Sequence, residues 1–268
     1  MSLENMSLER ESLERVSLEN MSLERVSLEN VSLKNVPLKK YPLQANILID
    51  RSHVAAPSTL QTWHQTSLDF GPSGTHFGYV YEGSPRLSCA SHDHEYGLQP
   101  GMFFAMPGGG TLLGEKSSGV VITHPGRRVF TLGGPMETTG RLAYINGGTT
   151  NVLIPPMMVG DPCLNALYFP PNVDQTLHTH PSDRLGMVVA GEGEFETPEA
   201  VMKAMPGDVF LIPEHTLHKF RTTTQNLTLV VFHPDSDVGF NHTMHPMLNR
   251  TLVDGVSATH LPEIHTHL

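Results

Sequence analysis

The sequence predicts an all-β protein made of two tandem barrels behind a low-complexity extension. Three observations predict it. Glycine (24) and proline (21) are abundant, which suits many short strands joined by turns. Helical periodicity is scarce, and only short segments such as 57–65 could be helical. One motif also occurs twice: Pro100-Gly101, five residues, Pro107 (PGMFFAMP) returns as Pro206-Gly207, five residues, Pro213 (PGDVFLIP). Both the glycines and the closing prolines are 106 positions apart, and self-similarity at that period means two copies of one domain.

Residues 1–45 parse as nine five-residue units, MSLEN through YPLQA, with leucine in one column from Leu3 to Leu43. Each step of five turns a helix by roughly 140°, so the leucines share no helix face. A square β-coil is the rival arrangement, but nine units give only about two coils, too few to bury much. The segment reads as a mobile or weakly helical extension copied by local duplication, without chemistry of its own. The first barrel, 46–140, offers the strands HFGYVY, GMFFAM and GVVIT. The second, 141–240, offers RLGMVVAG, DVFLIP and LTLVVF, with 140–171 read as the connection into it. A histidine-rich tail, 241–268, closes the chain; His242, His245, His260, His265 and His267 cluster there with His233 just before, and it reads as a disordered or surface segment.

Composition excludes several classes. The formal charge is −10, and no basic stripe or stacking platform suggests a nucleic-acid partner. No run of 18 apolar residues suggests a membrane span, and no apolar core follows the start as in a signal peptide. Two cysteines, Cys89 and Cys163, make no CxxC pair. A reducing cytoplasm is therefore the expected compartment. The cysteines lack a local base, and GxGxxG, Walker A, GxSxG and HExxH patterns do not occur.

The chemistry concentrates in the second copy. His178 and His180 are two apart, so on a strand they point the same way. His218 follows the PGDVFLIP strand and can meet them from an antiparallel neighbour. Three imidazoles on one side of a cavity make a facial metal site with open positions for substrate.

These spacings resemble the cupins, small β-barrels of the double-stranded β-helix or jelly-roll kind. Their first motif, G-x5-H-x-H-x3,4-E-x6-G, falls on Asn172 in the opening glycine place, His178, His180 and Gly191. The second, G-x5-P-x-G-x2-H-x3-N, falls on Gly207, Pro213, His218 and Thr222, with His215 in the second glycine place. The body is therefore similar to a bicupin. One departure stands out: the place of the family's ligating glutamate is Arg184. Its guanidinium stays protonated and cannot ligate a metal. The resemblance then implies either a three-histidine site or a vestigial one. In the first case Arg184 would grip a substrate anion bidentately, unless Asp183 or Glu194 held it away. Gln175 and Tyr168 would line the pocket, and Lys219 would point outward.

The first copy resembles a degenerate barrel. A shift of 108 sets Phe70 and Pro72 opposite the two histidines and His76 opposite Arg184. A shift of 106 sets Leu112 opposite His218. His92-Asp93-His94-Glu95 looks metal-like but reads as a solvated loop. The resemblance implies one divalent ion, Fe(II) foremost with Zn, Mn, Ni or Cu as other candidates. It leans towards an enzyme, a dioxygenase-like oxidoreductase acting on a small anionic substrate. The rivals are an isomerase or lyase using Zn, Mn or Ni as Lewis acid, and a non-catalytic cupin that binds a small ligand or metal. A homodimer through sheet edges is the assembly it suggests.

Overall fold

The computed structural model describes residues 38–91, 94–126, 129–241 and 245–266. Seven of the nine repeat units lie outside the described residues, as do His92, Asp93, His242 and His267. Strands dominate. The first part of the chain forms β1 (Lys39–Pro42), β2 (Leu48–Arg51), β3 (Ser58–His64), β4 (Leu68–Phe70), β5 (Thr75–Glu82), β6 (Arg86–Cys89) and β7 (Glu95–Gly97). It continues with β8 (Phe103–Pro107), β9 (Gly110–Leu113), β10 (Ser118–His124) and β11 (Thr131–Gly133). The second part forms β12 (Leu142–Ala143), β13 (Thr149–Ile154), β14 (Cys163–Phe169), β15 (Arg184–Gly191) and β16 (Gly193–Glu196). After these come β17 (Val201–Ala204), β18 (Asp208–Ile212), β19 (Lys219–Arg221) and β20 (Leu227–His233). The tail adds a short helix, α1 (Pro246–Arg250), and a small hairpin, β21 (Leu252–Val253) with β22 (Val256–Ser257).

The duplication is visible in the strand order. One large sheet runs β11-β8-β5-β10-β3-β2, the other β1-β18-β15-β20-β14-β13-β12. The central order matches, β8-β5-β10-β3-β2 against β18-β15-β20-β14-β13. Each barrel closes with a smaller sheet, β4-β9-β6-β7 in the first and β17-β16-β19 in the second. The match extends to single residues. Gly78 faces Phe104 and Gly186 faces Phe210 across their ladders. A Cβ added to either glycine would sit 2.1 or 2.8 Å from its partner's Cζ.

The two large sheets pack face to face. Phe77, Tyr79, Phe103 and Val120 of the first barrel share one apolar cluster with Leu185, Met187, Leu211 and Phe232 of the second. The Phe77 and Phe232 rings lie 5.0 Å apart. Alternate residues of the same strands point the other way. Phe104, Met106 and Val121 fill the first barrel, and Phe210, Ile212, Leu229 and Val231 fill the second. Both faces of these strands are therefore buried, which is why DVFLIP and LTLVVF read as unbroken apolar runs.

Three sequence expectations need revision. Segment 57–65 is no helix: Ser58–His64 is β3, paired with β2 on one edge and β10 on the other. Leu60 and Trp63 mimic a helical spacing, but Thr59 and Thr62 are β-branched and both ladder edges are taken. The stretch 140–171 is more than a connection, since it supplies β12, β13 and β14 to the second sheet. The last repeat units are not a free extension either. Lys39–Pro42 pairs antiparallel with β18, and Lys40 Nζ reaches Asp208 Oδ2 at 2.8 Å. Leu38 and Leu43 are buried, one in the second barrel and one in the seam between sheets.

This ordering of the repeat's end has a measurable cost if disturbed. Leu43→Ala should destabilise the protein by about 2–5 kcal/mol, as expected for truncating a fully buried leucine. The urea midpoint reads the loss; a change within error would mean that the column leucine packs against nothing.

Candidate metal centre

Two chain segments build the site. The first runs from Val173 to Arg184, the second from Pro213 to His218. They zip together as an antiparallel bridge: His178 N donates to His218 O and His218 N to His178 O, each at 3.0 Å. His215 N donates to His180 O at 2.8 Å. Side chains directly opposite in such a bridge lie on the same face. His178 and His218 are therefore neighbours, and His180, two residues on, joins them.

The backbone explains the family's glycines. Asn172 and His215 occupy glycine places and both adopt the left-handed conformation, with φ of 63° and 60°. Gly191 and Gly207 lie in the same region. Glycine suits these turns because it has no Cβ to clash; asparagine tolerates the region next best. Thr222, in the asparagine place, is buried. Its Oγ1 donates to Pro170 O at 2.6 Å and accepts Val173 N at 2.9 Å, pinning the start of the first segment.

The three rings face one another. Their centroids are 4.6 to 5.2 Å apart, and one nitrogen from each lies within 4.8 Å of the others. An ion at about 2.1 Å from each nitrogen would tighten that spacing. His178 Nδ1 lies 2.8 Å from Thr176 O, and His218 Nδ1 lies 2.8 Å from Thr216 O. A carbonyl only accepts, so each Nδ1 carries the proton and each Nε2 keeps its lone pair. Both Nε2 atoms are buried without a hydrogen-bond partner. Buried polar atoms are rarely left so. Rings oriented by backbone carbonyls, with bare Nε2 atoms converging, are the arrangement of metal-ligating histidines. The three-histidine group fits a metal site.

Electrostatics keeps the His180 and His218 rings neutral. Burial pushes His180 down to about 3, and Arg184 and the other two imidazoles add to the shift. Burial likewise pushes His218 down to about 4, against the opposing hydrogen bond to Thr216.

Arg184 opens β15 and is buried with its side chain in the pocket. Nη1 donates to Ser182 O, Ser182 Oγ and Asp183 O at 3.1, 2.7 and 3.0 Å. Nε has no partner, and no carboxylate lies within 4 Å of the guanidinium among the described residues. The acids expected to hold it away are engaged elsewhere. Asp183 pairs with Arg51 and Glu194 with Arg221. Of the acids that act on it electrostatically, Asp235 does so most and Asp183 less; Asp235 accepts the Ser182 hydroxyl. Burial pulls the guanidinium below its ordinary range, which Asp235 offsets.

The cavity beside the histidines has a volume of about 140 Å³ and takes its walls from β13, β14, β15, β18, β19 and β20, with Tyr144 added. Strand parity decides which residues face it. From β14 these are Asn165 and Leu167. Tyr168 points the other way and donates to Glu137 O at 2.7 Å, so it does not line the pocket. Gln175 is buried, with Oε1 accepting Phe220 N at 3.1 Å, and also does not line it. Lys219 points outward to Asp174 and Glu196. His233 belongs to the cavity instead of the tail. Its ring lies 6.4 Å from His180, and burial, Arg184 and His180 hold it well below its ordinary pKa. The available signal was its place two residues beyond Val231 on an inward-facing strand.

The first barrel carries no such group among the described residues. His76, paired with Met106 as Arg184 is with Ile212, has both ring nitrogens bonded, to Thr123 Oγ1 and Gly71 O. Its ring stacks on Phe70 at 4.8 Å. Leu112 packs in the barrel core. His94 packs edge-on against Tyr96. In the tail, His245 Nδ1 caps α1 and His265 Nε2 donates to Ala258 O. Cys89 and Cys163 are both free and buried, and burial pushes the Cys163 thiol up. No helix among the described residues is long and apolar enough to cross a membrane.

Comparison with known proteins agrees with this architecture. The cupin domain family matches residues 167–233. No curated protein matches the chain. Among solved structures, a cupin 2 conserved barrel domain protein from Leptotrichia buccalis is 13% identical (TM-score 0.51), covering 75% of this chain and 91% of that one. The protein Ylba from E. coli is 15% identical (TM-score 0.53), covering 80% and 90%. A salicylate 1,2-dioxygenase from Pseudaminobacter salicylatoxidans is 11% identical (TM-score 0.53), covering 87% and 94%. At these identities the likeness is one of fold. The second barrel is a cupin domain, and the two barrels together have the bicupin fold.

The depressed histidines set a pH dependence. Unfolded histidine binds a proton near pH 6.5, whereas folded His180 and His218 resist until about pH 3 and 4. The unfolded chain therefore holds more protons between those limits, and stability falls as pH drops through that window. Metal-free protein should lose melting temperature from about pH 6.5 downward. The loss should be shallower in His180→Asn; identical slopes would contradict the assignment.

Proposed function

We propose that this protein is a metal-dependent bicupin enzyme of the dioxygenase type, acting on a small anionic substrate at His178, His180 and His218. The observation that carries it is the pair of buried, unpartnered Nε2 atoms facing a third imidazole, next to a buried arginine with no carboxylate in contact. When bound, the ion would supply Lewis acidity and, as Fe(II), the capacity to engage dioxygen. Zn, Mn, Ni or Cu would be held by the same nitrogens.

The chain's own residues determine what binds. Three neutral imidazoles cancel none of the ion's charge, and Arg184 adds another positive charge to the same cavity. Asp235 offsets part of the guanidinium's burial, and an arriving anion would compensate the excess positive charge that remains, since buried charge is costly to leave unpaired. Arg184 would clamp one oxygen pair of a carboxylate or enolate through its unengaged N–H groups. A second substrate oxygen would face the open side of the histidine group. Leu167, Ile212 and Val231 wall the cavity and exclude water around the reacting atoms. The structural likeness to a salicylate 1,2-dioxygenase supports an aromatic or similarly compact acid as the first substrate class to test.

Protein purified without an affinity tag should hold about one divalent ion per chain and consume oxygen with aromatic or diketone acids. Turnover without oxygen uptake would instead make it a Lewis-acid isomerase or lyase. Lack of stoichiometric metal after anaerobic Fe(II) loading would leave a non-catalytic binding cupin. His180→Ala should abolish metal retention; unchanged occupancy refutes the ligand set. Arg184→Ala should keep the metal and weaken anion binding roughly 10- to 100-fold, the scale of a lost charge-assisted hydrogen bond. Unaltered affinity rules the clamp out.

A further inference from the structure

Among the described residues the first barrel holds no metal-ligating group, yet one of its side chains enters the support of the second barrel's site. Arg51, the last residue of β2, sends its guanidinium to Asp183: Nε to Oδ2 at 2.6 Å and Nη2 to Oδ1 at 3.0 Å. Both side chains are almost wholly buried, 3% and 0% exposed. Asp183 Oδ1 also accepts Glu214 N at 2.8 Å, and Asp183 O accepts Arg184 Nη1 at 3.0 Å. One carboxylate thus touches both ligand-bearing segments. It sits three residues after His180 and one before Arg184, and it holds Glu214, four residues before His218.

We infer that Arg51 is a positioning residue for the three-histidine group: through Asp183 it fixes the 178–184 segment, the 213–218 segment and the Arg184 guanidinium relative to one another. This rests on the metal reading proposed above. The physical reason is the burial. Without Arg51, Asp183 becomes a buried carboxylate with one backbone donor, and it must take a proton or move towards water. Either change shifts the segment between the histidine pair and Arg184. The facing imidazoles come from two separate loops, so their convergence depends on the lock between those loops. Supporting residues of this kind typically govern metal affinity by 10- to 100-fold. The bidentate geometry is specific to arginine, because lysine offers a single point charge.

The test uses the untagged full chain and Co2+ as probe, with affinity and the visible absorption spectrum as readouts alongside the melting curve of the metal-free protein. Arg51→Met should weaken Co2+ binding at least tenfold and alter the spectrum. Arg51→Lys should recover part of both. Arg86→Met, which removes an exposed ion pair of the first barrel, should change neither. If Arg51→Met does not fold, the double variant Arg51→Met/Asp183→Asn decides. It buries no charge, and its amide oxygen still accepts Glu214 N, yet the tether to the first barrel is gone. Weakened Co2+ binding in that variant supports the inference. Wild-type affinity and spectrum in either folded variant overturn it, while failure of the wild-type protein to bind Co2+ overturns the metal reading on which it stands.

Discussion

The apolar seam between the two large sheets is the constraint on which the rest of the molecule depends. Phe77, Tyr79, Val120, Leu185, Met187 and Phe232 lie in one cluster that belongs to neither barrel alone. Strands that bury one face in the seam must bury the other inside their own barrel, so every second residue is directed at a cavity. Arg184, Ile212, Val231 and His233 reach the pocket by this parity. The same seam brings β2 against the second barrel and makes the contact between Arg51 and Asp183 possible. The second copy therefore carries the three-histidine group, and the first provides a rigid wall together with one buried cation.

The site's electrostatics follow from replacing the family's carboxylate with Arg184. A glutamate would neutralise part of a bound ion's charge and occupy one coordination position. The arginine does neither, and burial with only neutral groups in hydrogen-bond contact leaves Asp235, beyond Ser182, as the main offset to its charge. Burial also holds His180, His218 and His233 neutral, because adding protons to a cavity already facing a guanidinium is unfavourable. The cavity is thus prepared for electron-pair donation to a cation on one side and reception of an anion on the other. On the function proposed above, both preferences suit a compact oxyanion able to chelate.

Much of this was legible in the chain. The paired PG-x5-P segments, 106 residues apart, correspond to β8 and β18 at matching places in two sheets. The His-x-His pair and His218 meet as the spacing required, since period-2 alternation and antiparallel pairing are local rules. Other features were hidden. Helix-like spacing at Leu60 and Trp63 gave no hint that both edges of that segment would be paired. Tyr168 and Leu167 are adjacent, and which one faces the cavity depends on a parity set by the neighbouring ladder. His233 looked like part of a tail cluster because proximity in sequence masked its inward direction. The repeat's last units looked like the rest of the repeat until Tyr41 and Pro42 found register against β18.

The chain by itself determined the all-β class, the duplicated barrels, the identity of the three facing imidazoles and the arginine where a ligand was expected. These depend on spacings of a few residues or on a repeat, and such patterns are written linearly. Tertiary structure alone decided that Asp183 is engaged by a residue 132 positions away, that Glu194 is engaged by Arg221, and that Arg184 is consequently left to the cavity. It also decided that the repeat's end becomes an edge strand of the far barrel. The physical reason is that a buried charge takes whichever partner the packed sheets place within reach, and that juxtaposition exists only once the seam has formed.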